Sequence, residues 1–159
     1  MNKTRINPER EFSPELLAAI NHLLPQLTSH ATPMTEDALR LLLQTEATRL
    51  YTIRDEQDRI CGMCTLCFTL MPTGKKCWLE DVVVDDACRG KGYAKLLVAE
   101  VYKESKRLGA KSLNLTSRPV REAANRLYTG QGFKLRETNV YQRQDEWLSS
   151  SKEWFASAA

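Results

Sequence analysis

The stretch from Leu79 to Gly109 constrains the fold more than any other part of the chain. Leu79-Glu80-Asp81-Val82-Val83-Val84 reads as the end of a strand and Arg89-Gly90-Lys91-Gly92 as a turn. Tyr93, Leu96, Leu97, Val101 and Leu108 then recur at helical spacing until Gly109 stops the pattern. A strand that feeds straight into a long amphipathic helix must bury both apolar faces together, which commits the chain to a sheet with helices on its faces.

The flanks agree. Upstream, Ser13-Pro14-Glu15 offers an N-cap and a proline at the first helical position, and Leu16, Leu17, Ile20, Leu23, Leu24 and Leu27 follow at helical spacing. A second helix is predicted after Thr35 on Leu39, Leu42 and Leu43, then strands over 49–54, 60–70 and 76–84. Downstream, Leu113 and Leu115 alternate with Asn114 and Thr116 as in a strand, a helix is predicted over 121–131, and 133–143 reads as strand or hairpin. The fold class is therefore α/β (α+β), a central mixed sheet flanked by helices. No repeat, low-complexity tract or linker divides residues 1–159, so a single domain is expected.

Composition excludes several classes. With 42% hydrophobic and 27% charged residues the chain is ordinary for a globular protein, and its polar start and lack of any apolar run near roughly 18 residues argue against a membrane segment. A cytoplasmic location is expected. The odd number of cysteines, five, suits reduced thiols better than a disulfide framework, and a net charge of +3 is too mild to imply nucleic acid. Trp147, Trp154 and Phe155 are more aromatic than a free tail needs, so they are expected to pack on the domain or on a second copy in a homodimer.

Any anion site must be local, and the glycine turn is the candidate. At a strand-to-helix junction the first helical turn has backbone N–H groups without intrahelical partners, and these join the positive end of the helix dipole. Arg89, Lys91 and Lys95 add charge. The alternative is a plain turn with solvated basic residues. The spacing is not that of the phosphate loop GxxxxGK[ST], and Lys95 stands where the dinucleotide fingerprint needs a small residue, so nucleotide binding is disfavoured.

With its surroundings the turn resembles motif A of the GNAT superfamily of N-acetyltransferases, Arg/Gln-x-x-Gly-x-Gly/Ala, read here as Arg89-Gly90-Lys91-Gly92-Tyr93-Ala94 after a strand. Residues 123–133, AANRLYTGQGF, resemble motif B of the same family. The resemblance covers about residues 49–143 and implies the GNAT fold, acetyl-CoA as cosubstrate and acetyl transfer to a primary amine by direct attack. It implies that Arg89, Gly90, Lys91, Gly92, Tyr93, Ala94 and Lys95 hold the cofactor pyrophosphate, and that Val82, Val83 and Val84 flank its pantetheine arm in a splay between two central strands. In the family a bulge opens that splay and frees an N–H, here near Val82 or Val83, toward the thioester carbonyl.

The reaction makes further demands. The departing thiolate needs a proton, and Tyr128 matches the motif B tyrosine that supplies it in many relatives; a phenol of pKa about 10 suits that task. The alternative is a core tyrosine. The amine must be neutral to attack, so a base is expected, and Glu80 is the better candidate and Asp81 the lesser. In a regular strand Glu80 shares a face with Val82 and Val84, and Asp81 with Val83. This Glu-Asp pair also resembles glucosamine-6-phosphate N-acetyltransferases, whereas the glutamate some relatives carry on the next strand is Thr116 here. A further departure is Arg121, where motif B often has an asparagine; either Asn125, one turn on, is the substitute cofactor contact, or Arg121 itself reaches a cofactor phosphate. A small amine is favoured as acceptor, with a protein amine or a non-catalytic acyl-CoA sensor as alternatives.

The segment CGMCTLCFTLMP imitates a ferredoxin ligand run. As a strand, however, it turns Cys64 away from Cys61 and Cys67 and separates the latter two by about 20 Å. No metal site is expected, and nucleophilic catalysis at Cys88 lacks a histidine partner.

Overall fold

The computed structural model describes residues 4–144. The chain opens with β1 (Arg5–Glu9), α1 (Pro14–Leu27) and α2 (Glu36–Gln44), then a meander of β2 (Thr48–Arg54), β3 (Ile60–Met71) and β4 (Gly74–Val84). A single 3-10 turn over Asp86–Cys88 leads through the glycines to α3 (Tyr93–Arg107), then β5 (Leu113–Asn114) and α4 (Glu122–Gly130). The sheet runs β1-β2-β3-β4-β5; the first four strands pair antiparallel and β5 lies parallel to β4. The α3 crossover makes that last pairing parallel.

Both N-terminal helices start where the caps predict. The Ser13 and Thr35 hydroxyls accept from the N–H of Leu16 and Ala38 at 3.1 and 3.2 Å. Leu16, Ile20, Leu23 and Leu39 bury one sheet face with Leu50, Met63 and Val83. Leu97, Val98 and Val101 of α3 bury the other with Ile53, Cys64, Leu66, Cys77 and Leu79, and Leu127 and Tyr128 of α4 join that side. Among the described residues no helix is long and apolar enough to cross a membrane.

Four expectations need correction. The polar start contains β1, an edge strand in which Pro8 loses no needed ladder bond because only one side is paired. In α3, Leu96 faces solvent and Val98 is buried in its place. The strand expected over 113–116 pairs only at Leu113 and Asn114, and no strand forms over 133–143, which runs along the surface without a ladder partner. Trp147, Trp154 and Phe155 lie outside the described residues.

Candidate functional site

The site is built on an irregularity in β4. Met63 pairs with Val83 but Thr65 pairs with Glu80, so Asp81 and Val82 together stand opposite the single residue Cys64. That is a β-bulge, and Asp81 adopts φ 52 to make it. The extra residue reverses the side-chain alternation. Leu79 and, beyond the bulge, Val82 and Val84 face the α3 side, whereas Val83 faces α1. The expected pairing of Glu80 with Val82 and Val84 on one face is therefore wrong: Glu80 keeps the phase of Trp78 and lies on the opposite side from them.

Beside the bulge the sheet opens. β4 and β5 pair only at Cys77 with Leu113 and Trp78 with Asn114, so from Leu79 onward that edge of β4 has no strand partner. Two cavities meet in the gap. The larger, about 850 Å³, runs from Val82, Val83 and Val84 to the glycine turn and the start of α3, with α4 as its far wall. The smaller, about 460 Å³, contains Glu80 and Asp81. Leu27, Val82, Arg121 and Tyr128 line both.

The turn is arranged for an anion. Gly90 and Gly92 both hold φ 78, a left-handed conformation in which a side chain is strained, and no atom lies within 4 Å of where a Cβ would stand at either. Gly92 caps α3 without any side-chain acceptor, leaving the amides of its first turn open to a ligand. The turn is placed by α1: Gln26 accepts from the Asp86 N–H at 2.8 Å, and His22 meets the Asp85 carboxylate at 2.8 Å. Arg89 pairs with Asp86 at 2.5 Å, so a ligand must compete for its guanidinium.

Of the residues singled out by sequence, Val82, Val83, Val84, Arg89, Gly90, Gly92, Tyr93, Ala94 and Lys95 line the larger cavity. Lys91 and Asn125 do not. Asn125 instead donates to the carbonyls of Arg118 (3.0 Å) and Pro119 (3.3 Å), bracing the loop before α4. Arg121 lines both cavities and donates to the Leu27 carbonyl at 3.2 Å. Sequence reasoning missed the α1 end, Gln26 and Leu27, as a wall, and missed Ser117 and Arg118; the local signal was a basic residue before Pro119, four positions beyond the end of β5.

The acid–base groups sit at the junction. Tyr128 is partly buried and edge-on to Phe133, with ring centroids 5.9 Å apart. Burial raises its pKa above the usual phenol value, Arg121 opposing and Cys64 adding to the rise, so it is a protonated donor at neutral pH. Among the described residues its hydroxyl makes no hydrogen bond. Glu80 is raised by loss of hydration and then by the charge of Asp81, and Asp81 by loss of hydration. Both carboxylates open onto the smaller cavity, yet protein on the remaining sides strips enough water to disfavour their charged forms.

The cysteines behave differently from expectation. A second bulge places Cys61 between the residues paired with Ile53 and Arg54, which turns it to the same core as Cys64. There its thiol donates to Asp55 at 3.4 Å and accepts from Cys88 at 2.8 Å. These three ligand atoms lie within 4.8 Å of one another. The Asp55 carboxylate is already satisfied by the backbone N–H groups of Gln57 and Arg59 and the Arg59 guanidinium, and burial with the neighbouring Cys88 and Asp55 pushes the Cys61 thiol up to about 12. A hydrogen-bonded thiol pair accounts for the cluster.

Comparison with known proteins converges on one family. The sequence pattern of the acetyltransferase (GNAT) family matches residues 16–133. An aminoglycoside acetyltransferase from an uncultured soil metagenomic sample superposes with a TM-score of 0.78 at 14% identity, covering 89% of this chain and 95% of that one. An acetyltransferase from Trypanosoma brucei gives 0.72 at 23% identity (89% and 100% covered). Glucosamine-6-phosphate N-acetyltransferase from Arabidopsis thaliana gives 0.70 at 19% (90% and 99%). No curated protein matches the chain in sequence.

Proposed function

The chain belongs to the acetyltransferase (GNAT) family of N-acetyltransferases, which use acetyl-CoA as cosubstrate, and from that premise we propose that it acetylates the primary amine of a small molecule by direct attack. The observation that carries this reading is the position of Tyr128, in the walls of both cavities at once. Acetyl-CoA enters the larger cavity with its pyrophosphate on the Arg89–Lys95 turn and its amide-like arm along the unpaired edge of β4. The acceptor amine enters the smaller one. A volume of about 460 Å³ suits a metabolite-sized amine.

Glu80, assisted by Asp81, takes a proton from the incoming ammonium, directly or through water. The neutral nitrogen attacks the thioester carbonyl carbon while a bulge amide, at Val82 or Val83, donates to its oxygen. The carbon–sulfur bond then breaks, Tyr128 protonates the departing thiolate, the nitrogen releases its surplus proton to solvent to give the neutral amide, and the phenol is reprotonated from solvent. Lys91 and Asn125 act indirectly, Lys91 through its charge and Asn125 by bracing the loop.

Titration calorimetry with acetyl-CoA, followed by thiol release against a panel of amines, tests the proposal. Binding with amine-dependent thiol release is the expected result. Binding without release from any amine would leave a sensor, and absence of binding would return the glycine turn to a basic surface feature.

A further inference from the structure

The smaller cavity holds charges of both signs that do not pair with each other. Glu80 and Asp81 lie on one wall, Arg118 and Arg121 on another, and no ion pair joins the two groups among the described residues. Elsewhere the chain pairs such groups readily, as Arg54 does with Glu15 at 2.7 Å. The influences that raise the Glu80 and Asp81 pKa values include no relieving arginine, so the carboxylates and guanidiniums are separated across the space.

Arg118 is the informative residue. It lines the smaller cavity but not the larger one, so cofactor binding does not account for it. Its side chain makes no hydrogen bond or ion pair among the described residues, yet its backbone is held: Asn125 donates to the carbonyl of Arg118 and to that of Pro119. The same wall carries Thr116 and Ser117, and the Ser117 Oγ is buried without a hydrogen-bond partner. An unpaired guanidinium on one side, with the buried Ser117 hydroxyl beside it, and two carboxylates on the other match a ligand that brings both missing charges.

We propose that the acceptor is an amine carrying an anionic group, a carboxylate or a phosphate, on the same molecule. The ammonium faces Glu80 and Asp81, and the anion takes donors from Arg118 and, after a rotation about its χ1, from Ser117. This rests on the acetyl-transfer reading above and narrows its substrate class. It also gives the cavity a discriminating element, because an amine without the anion forgoes the contact with Arg118.

The test compares matched amines with acetyl-CoA by thiol release: 4-aminobutyrate against butylamine, glycine against glycinamide, and phosphoethanolamine against ethanolamine. The expected kcat/KM is about tenfold or more higher for the anionic member of at least one pair, and which pair responds distinguishes carboxylate from phosphate. Arg118→Gln abolishes that preference through KM, the anionic member losing several-fold more than the neutral one, whereas Arg118→Lys retains part of it. Neutral amines turned over as well as anionic ones, or an Arg118→Gln loss shared equally by both, would overturn this inference while acetyl transfer stands. No thiol release from any amine would overturn the acetyl-transfer reading itself and the inference with it.

Discussion

The Arg121 guanidinium donates a hydrogen bond of 3.2 Å to the Leu27 carbonyl, tying the start of α4 to the end of α1 beside both cavities. The contact joins residues 94 positions apart, so it forms only once the two layers have packed. It also lays a positive charge near Tyr128, whose pKa it lowers.

Arg121→Ala removes both effects. The lost exposed bond costs about 1 kcal/mol or less, so Tm moves little while KM for acetyl-CoA rises by about two- to fivefold. With the opposing charge gone, the Tyr128 pKa rises further, and the alkaline fall of kcat shifts to higher pH. A pH–rate profile of the variant checks the direction.

Tyr128→Phe keeps the ring against Phe133 and deletes the proton donor. Catalysis by a positioned acid is worth about 10²- to 10⁴-fold, so kcat falls by that order while acetyl-CoA affinity, measured by calorimetry, is nearly unchanged. In the unaltered protein the phenol titrates above its ordinary value of 10.0, so its deprotonation contributes no loss of rate at neutral pH. The variant lacks the alkaline limb.

Glu80 and Asp81 set the acidic limb. Because the Glu80 pKa is raised above 4.5, the rate is full above that raised pKa and falls as pH drops through it. Glu80→Gln removes the limb and lowers kcat/KM by about tenfold or more. Asp81→Asn takes away the neighbouring negative charge, so the Glu80 limb moves to lower pH; asparagine tolerates the positive φ of this position, which keeps the bulge. A profile in which Asp81→Asn moves the limb upward would contradict this assignment.

Asp55 couples stability to pH. Burial alone would raise its pKa, but hydrogen bonds from Arg59, Cys61 and the Gln57 N–H outweigh it and hold the carboxyl at about 2, below its usual 3.8. A depressed native pKa stabilises the fold fully above the ordinary value, and the contribution disappears as pH falls through about 2. The partner Arg59 is exposed and water screens the pair, so the pH-dependent part amounts to about 1 kcal/mol. Urea denaturation of Asp55→Asn across pH 2–7 is expected to show the loss at neutral pH and its disappearance in acid.

How far the molecule is legible in its residues depends on the range of the forces involved. The helix starts at Ser13 and Thr35 are local, because each cap bonds an amide three residues away, and both form as read. The turn from Arg89 to Ala94 is likewise local: two glycines one residue apart, a preceding valine run and a following apolar stripe suffice to place it. β1 escaped notice because a short edge strand with a proline has a weak alternation, and its partner, β2, begins about 40 residues later.

The sequence by itself determined a mixed sheet, its helices, and a basic glycine turn opening α3, since each follows from short-range periodicity and capping. The family resemblance named Tyr128, Glu80 and a bulge near Val82 or Val83, but tertiary structure decided how these parts meet. Val82, Val83 and Val84 carry no mark of a bulge, and only the register of β4 against β3 shows that Asp81 is the extra residue and that alternation reverses there. Only the early parting of β5 from β4 opens the gap that admits Tyr128 from α4 and Leu27 from α1. Side-chain period describes which face a residue occupies along one strand; which residues meet across a gap depends on how separate layers pack, and that is a property of the whole chain.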